Sequence, residues 1–189
     1  MGFERLWAGW RRDYIEQVTT TPRPEGCLFC GLAALEDETA LILERDEHTF
    51  TIMNAYPYTS GHVMVLPSRH EAELTALDPA EAAALMLAAQ RAARVLETVY
   101  RPEGINLGIN VGRAAGAGVP EHLHLHLVPR WAGDSNFMTA VAETRVLPET
   151  LEQSYARLLH GFGDRGHEVR VAGPSGHEVQ VQVLGDPCA

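Results

Sequence analysis

The sequence predicts an α+β fold, a mainly antiparallel sheet with helices on one face, and three observations predict it. Short apolar segments of strand length recur between turn residues, at 40–43, 48–53, 61–67, 105–111 and 122–129. The loop 54–60, NAYPYTS, joins two of them directly. One long segment, 79–100, instead carries its apolar residues at helical spacing.

Residues 1–26 read as an N-terminal arm, in which Leu6, Trp7, Trp10, Tyr14 and Ile15 make one apolar stripe of a short helix. The run TTTPRPEG then breaks regular structure. The main domain spans 27–162. Its long helix starts with Asp78 as N-cap, Pro79 at the first helical position and Glu81 completing a capping box. Leu85, Ala89, Ala92, Leu96 and Val99 form its buried face, and Pro102 and Gly104 stop it. The stretch 112–118, GRAAGAG, reads as a glycine-rich loop, and 148–162 as a second helix. Residues 163–189 form an appended β-hairpin, with Val169 and Val171 facing Val179, Val181 and Val183 across Pro-Ser-Gly.

A chain of 189 residues with 46% apolar content can bury one core without disulfides. No run is long and apolar enough for a transmembrane helix, and the first residues lack a secretory signal, so a cytoplasmic protein with no membrane partner is expected. The net charge of -10, without an offsetting basic cluster, argues against a nucleic-acid partner. Three cysteines, Cys27, Cys30 and Cys188, point to a metal or free thiols.

The most informative stretch is His122-Leu-His124-Leu-His126-Leu127. Strand side chains alternate, so the imidazoles share one face, about 7 Å apart, and the leucines share the other. A solvated polar face would draw on Thr, Lys, Glu and Arg. Three histidines in register suit a metal pair or a nucleophile, since neutral imidazole is abundant near neutral pH. The glycine-rich loop just before the strand can bring backbone N–H groups close to an anion, which makes it a candidate phosphate cradle. Cys27-Leu-Phe-Cys30 has the spacing of half a zinc site, for which His70 and His122, both near strand ends, are candidate partners. The alternative is a redox dithiol, which usually opens a helix after a strand.

His122-Leu-His-Leu-His-Leu-Val-Pro-Arg130 resembles the signature of the histidine-triad (HIT) superfamily. Asn54-Ala-Tyr-Pro-Tyr-Thr-Ser-Gly-His62-Val-Met-Val-Leu-Pro67 resembles its second conserved block. The Leu-Trp-x-x-Trp-Arg of the arm and the stretch from Pro129 to Phe137 look most like bacterial members of the diadenosine-tetraphosphate phosphorylase type. The resemblance covers about residues 27–159 and the start of the arm. It implies a five-stranded sheet with two main helices, and homodimers in which two such sheets become continuous. It implies a nucleotidyl transferase or hydrolase that cleaves dinucleoside polyphosphates through a nucleotidyl-histidine intermediate, by phosphorolysis or hydrolysis. His124 matches the nucleophile, His126 the residue that binds phosphate and stabilises the leaving group, and His62 a residue beside the nucleophile that orients it. Asn54 matches a ribose ligand. Asn110, with Gly116 and Gly118 of the loop, matches the phosphate contacts, and Trp131 an aromatic position linked to substrate choice. Cys27, Cys30, His70 and His122 match a structural zinc site. For the proposed chemistry, the carbonyl of residue 122 or a nearby backbone group would hold the second ring nitrogen of His124.

This chain departs from the pattern before the triad, where Gly118, Val119 and Pro120 replace a phosphate-binding hydroxyl. The 163–189 extension also lies outside the resemblance. A purine nucleoside phosphoramidase, a non-catalytic nucleotide-binding module and, more remotely, a redox or metal-transfer protein are the alternative readings.

Overall fold

The computed structural model describes residues 26–134, 148–163, 168–172 and 178–182. Two short helices, α1 (Leu28–Ala33) and α2 (Asp37–Ala40), precede strands β1 (Ile42–Arg45), β2 (Thr49–Met53) and β3 (Val63–Pro67). The long helix α3 (Pro79–Tyr100) follows, then β4 (Gly104–Ile109), β5 (Leu125–Arg130) and α4 (Leu151–Gly163). The five strands form one sheet in the order β1-β2-β3-β5-β4, and every neighbouring pair is antiparallel. Beyond it, β6 (Glu168–Ala172) pairs antiparallel with β7 (Glu178–Gln182), Val169 opposite Val181 and Val171 opposite Val179. The predicted arm helix and Cys188 lie outside the described residues.

Helix α3 begins as its sequence spells it. The Asp78 side chain accepts from the Glu81 amide at 2.8 Å, and the Glu81 carboxylate accepts from the Asp78 amide at 3.0 Å. Such a cap is worth about 1 kcal/mol. A hydrogen-bonded ion pair with Arg69, then the Asp78 amide, holds the Glu81 carboxyl down at about 2. Leu85, Ala88, Ala89, Ala92, Val95 and Leu96 are buried along one face, which lies on β2, β3 and β5. The small side chains at 88, 89 and 92 let the helix approach the sheet closely. Leu125 and Leu127, two leucines of the alternating stretch, enter this core with Val63, Val65, Leu158 and Phe162.

The expectation of helices on one face needs correction. Both long helices share a face, but α1 covers part of the other, where Phe29 packs with Ile42, Phe50, Ile52, Met64 and Leu66. Among the described residues no helix is long and apolar enough to cross a membrane.

Several boundaries move for local reasons. The segment 40–43 does not start as strand, because α2 runs to Ala40 and Leu41 closes it in the left-handed conformation (φ 59°). The strand expected over 122–129 begins only at Leu125. β3 ends at Pro67, which has no amide to offer the ladder, so its pairing with β5 stops at Val65 opposite Leu125. β4 covers Gly104–Ile109 in place of 105–111, and a 3-10 turn, Arg113–Ala115, sits inside the glycine-rich loop. Helix α4 starts at Leu151, three residues after the expected 148.

Helices α3 and α4 meet at Gly161, where an added Cβ would stand 2.8 Å from methyls of both Val95 and Val99. Branched side chains on a helix have little freedom to retreat. Gly161→Ala is therefore expected to lower unfolding free energy by about 1–3 kcal/mol despite its better helix propensity, read by urea denaturation. An equal or higher midpoint would show that the two helices can separate at no cost.

Candidate functional site

All three triad histidines lie on the α1 side of the sheet. His122 and His124 both make ring contact with Phe29, at centroid distances of 5.7 and 5.2 Å. His126 is paired in the sheet with Met64 on one side and Gly108 on the other. His124 and His126 stand edge to face with centroids 4.9 Å apart, closer than the strand repeat alone would hold them.

Two of the rings have their proton assigned by a backbone partner that can play only one role, and the third follows from them. His124 Nδ1 lies 2.8 Å from the His122 carbonyl, one of the backbone groups considered for it. A carbonyl only accepts, so Nδ1 carries the proton and Nε2 keeps its lone pair. The Tyr58 amide donates to His62 Nδ1 at 3.1 Å. His62 Nε2 is then the protonated nitrogen and donates to His126 Nδ1 at 2.9 Å. That leaves the proton of His126 on Nε2.

Sequence reasoning placed His62 beside His124. In the structure His62 Nε2 pairs with His126, and it is His126 that packs against His124. Asn54 joins the same group: its Oδ1 accepts from the Tyr56 amide at 2.9 Å, and its Nδ2 stands 3.4 Å from His62 Nδ1. Gly61 sets His62 in place. It has φ +78°, and a Cβ there would come within 2.7 Å of the Tyr100 ring, so only glycine fits without displacement.

His62 is fully buried and His124 is 4% exposed. Burial lowers the pKa of His124, and burial followed by the charge of His124 pushes His126 down to about 4. Both rings are thus neutral near pH 7, one as a lone-pair donor and one as an N–H donor. A nucleophile needs only one exposed ring atom.

Ile109 pairs with Leu125, so Asn110 leaves the sheet level with His124. The glycine-rich loop starts there. Gly116, at φ 92°, closes its 3-10 turn, and the Ala117 amide returns to the Gly112 carbonyl at 3.3 Å. Gly118 lies between this turn and Val119, whose carbonyl accepts from the His122 amide at 3.5 Å. Both ends of the loop therefore meet the sheet beside His124. Trp131 stands apart, its indole edge-on to Tyr100 at 6.4 Å.

A second constellation adjoins the first. Ligand atoms of Cys27, Cys30, His70 and His122 all lie within 4.8 Å of one another. His122 Nδ1 is 3.3 Å from Cys27 Sγ and 3.6 Å from Cys30 Sγ, and His70 Nδ1 is 3.3 Å from Cys30 Sγ. Ligand atoms around a tetrahedral S2N2 zinc stand roughly 3.5–3.8 Å apart, so the set fits that ion. His122 Nε2 donates to the Pro67 carbonyl at 2.9 Å, which turns the lone pair of Nδ1 toward the sulfurs. Burial and Cys27 together raise the Cys30 thiol, so a cation is needed to favour its thiolate. Contrary to the loop setting inferred from sequence, Cys27 stands at the N-cap position of α1, so the pair opens a helix, the setting also expected of a redox dithiol. The two imidazoles completing the set distinguish it from a bare dithiol.

Sequence reasoning missed three contributors. Tyr58 stacks over His62 and His126 at 4.7 and 6.3 Å, besides donating its amide. Pro67 supplies a carbonyl to His122. Gly108 leaves open space beside His126, with nothing within 4 Å of a Cβ built there. A glycine inside a strand pattern is the signal that could have found it.

The HIT domain family model matches residues 35–133. A relative from Mycobacterium tuberculosis described as AP-4-A phosphorylase is 39% identical over 161 residues, 82% of either chain. A solved structure described as a Zn-bound histidine triad family protein from Mycobacterium smegmatis superposes with TM-score 0.59 at 31% identity, covering 73% of this chain and 94% of that one. A solved structure described as a hypothetical histidine triad nucleotide-binding protein from Sulfolobus tokodaii gives TM-score 0.59 at 25% identity over 73% of this chain and 93% of its own.

The His126 assignment has a measurable consequence. In the unfolded chain a histidine titrates near 6.5, whereas here it titrates near 4. As pH falls through that window the unfolded state takes up the proton first, so stability falls between about pH 6.5 and 4 and levels off below. NMR titration should give His126 a midpoint near 4, and His126→Asn should lose less stability than wild type across this window. A midpoint near 6.5 would contradict the burial argument.

Proposed function

The chain belongs to the HIT domain family, and from that premise we propose that it is an enzyme that cleaves dinucleoside polyphosphates through a nucleotidyl-histidine intermediate on His124. The observation carrying this reading is the hydrogen bond between His124 Nδ1 and the His122 carbonyl, which commits the lone pair of Nε2 to attack. Similarity to a protein described as AP-4-A phosphorylase supports the substrate class.

In the first step Nε2 attacks the α-phosphorus in line. The bond from phosphorus to the bridging oxygen breaks, and its electrons leave with that oxygen. For diadenosine tetraphosphate, AMP stays on the ring and ATP departs. His126 donates its Nε2 proton in a hydrogen bond to the departing or non-bridging oxygen, and the amides of the loop around Gly116 and Gly118 offset charge on phosphate. Asn110 and Asn54 contact phosphate and ribose in this reading, and Trp131 acts from the far end of β5. In the second step an oxygen of inorganic phosphate attacks phosphorus, the P–N bond returns its electrons to Nε2, and ADP forms. Water in that position would give AMP.

Cys27, Cys30, His70 and His122 hold a zinc ion in this reading. Four protein ligands leave no place for substrate, so the ion supplies structure and not chemistry. A reducing, cytoplasmic setting suits its thiolates. The active form is a homodimer joined through β4, whose outer edge has no strand partner among the described residues and whose Leu107 is half exposed.

His124→Ala should keep its fold and lose turnover by roughly three orders of magnitude or more. Labelled AMP should be trapped on wild type and not on the variant. With excess phosphate, diadenosine tetraphosphate should yield ADP and ATP. AMP and ATP would indicate a hydrolase, and turnover of AMP-lysine alone would favour the phosphoramidase. Equal turnover by His124→Ala would remove the mechanism. Light scattering should give about twice the 20.7 kDa chain mass, and a monomer that is fully active would remove the dimer from the proposal.

A further inference from the structure

We propose that Arg69 is the positioning residue of the metal site: it turns His70 toward the thiols by tying the loop that carries His70 to the first turn of α3. The inference rests on the metal reading above.

The two imidazoles of the cluster are held differently. His122 is buried and anchored at its far nitrogen by the Pro67 carbonyl. His70 is exposed, and among the described residues no hydrogen bond holds its far nitrogen. Its aim has to come from its backbone, and Arg69 governs that backbone.

The Arg69 guanidinium uses every edge. Nε and Nη2 pair with both oxygens of Glu81 at 2.7 and 2.8 Å. Nη1 donates to Glu71 at 2.8 Å, and Nη2 also donates to the Ala76 carbonyl at 3.1 Å. Such a bidentate fork fixes orientation as well as distance. Arg69 and Glu71 therefore meet on the α3 side of the chain, and the residue between them faces the other way, where the thiols are. The other Glu71 oxygen accepts the Ala72 and Glu73 amides at 2.9 and 3.0 Å, so the loop after His70 is gathered into the same knot. The Glu71 carbonyl in turn accepts from the Leu123 amide at 2.6 Å. One guanidinium thus links the start of α3, the exposed ligand and the segment between the buried ligand and His124.

The competing view is that Arg69 merely stabilises α3. Asp78 separates the two. Asp78→Ala removes the helix cap but keeps Arg69 on Glu81, whereas Arg69→Ala frees the loop and keeps the cap. Each full-length variant is stripped of metal and titrated with Co2+, whose visible bands report a tetrahedral S2N2 set, and zinc affinity is measured by chelator competition. Arg69→Ala should bind about 10–100-fold more weakly, the range for residues that orient metal ligands, with altered cobalt bands. His70→Ala marks the loss of a whole ligand. Asp78→Ala should melt earlier but bind like wild type. If Arg69→Ala does not fold, Glu81→Gln, which removes the ion pair, is expected to shift affinity in the same direction. Wild-type affinity and bands in Arg69→Ala or in Glu81→Gln, or equal weakening by Asp78→Ala, would overturn the assignment. A wild type without tetrahedral bands would overturn the metal reading and this inference with it, whereas normal wild-type bands with unchanged variants defeat the inference alone.

Discussion

The imidazole of His122 is held at both nitrogens, and the site is organised around that fact. One nitrogen donates to the Pro67 carbonyl and the other faces two sulfurs, while the residue's own carbonyl fixes the ring of His124. A single residue therefore joins the end of β3, the cysteine pair and the ring of His124. A shift of His122 would move all three together, and for that reason its surroundings are packed with Phe29 and Phe50. The sheet supplies a rigid base on its other side, where leucines of the same stretch enter the core.

Much of this was legible in the residues themselves. The alternation from His122 to Leu127 declared one polar and one apolar face, and Leu125 and Leu127 are buried as that pattern demands. Asp78, Pro79 and Glu81 declared the start of α3 to the residue, because a capping box is local chemistry. The two cysteines and two histidines that the structure gathers into one cluster were also picked out by spacing and resemblance. What escaped was whatever depends on a partner distant in sequence. Nothing near His122 says that β3 ends in a residue without an amide, so the late start of β5 at Leu125 was invisible. That His62 bonds to His126 is likewise a property of two strands lying side by side. The Arg69 knot was hidden because each of its acids, alone, reads as an ordinary surface charge.

Membership of the HIT domain family brings a shared framework, and the particular chain adds its own features. The hydroxyl that many members carry before the triad is replaced by Gly118, Val119 and Pro120, so in the proposed function a phosphate contact at that point is either backbone-only or absent. Tyr58 stacks on two histidines, and Gly108 leaves an opening beside one of them.

The chain of donors from the Tyr58 amide through His62 to His126 has a thermodynamic corollary. With backbone groups setting the tautomers of His62 and His124, and His62 in turn setting that of His126, the neutral site has a single arrangement of its protons. Under the proposed function, a substrate arriving there finds no ensemble of isomers to sort, and little entropy is lost in selecting the competent one. Binding energy that another pocket would divert to selecting a tautomer is, on that reading, kept for the ligand.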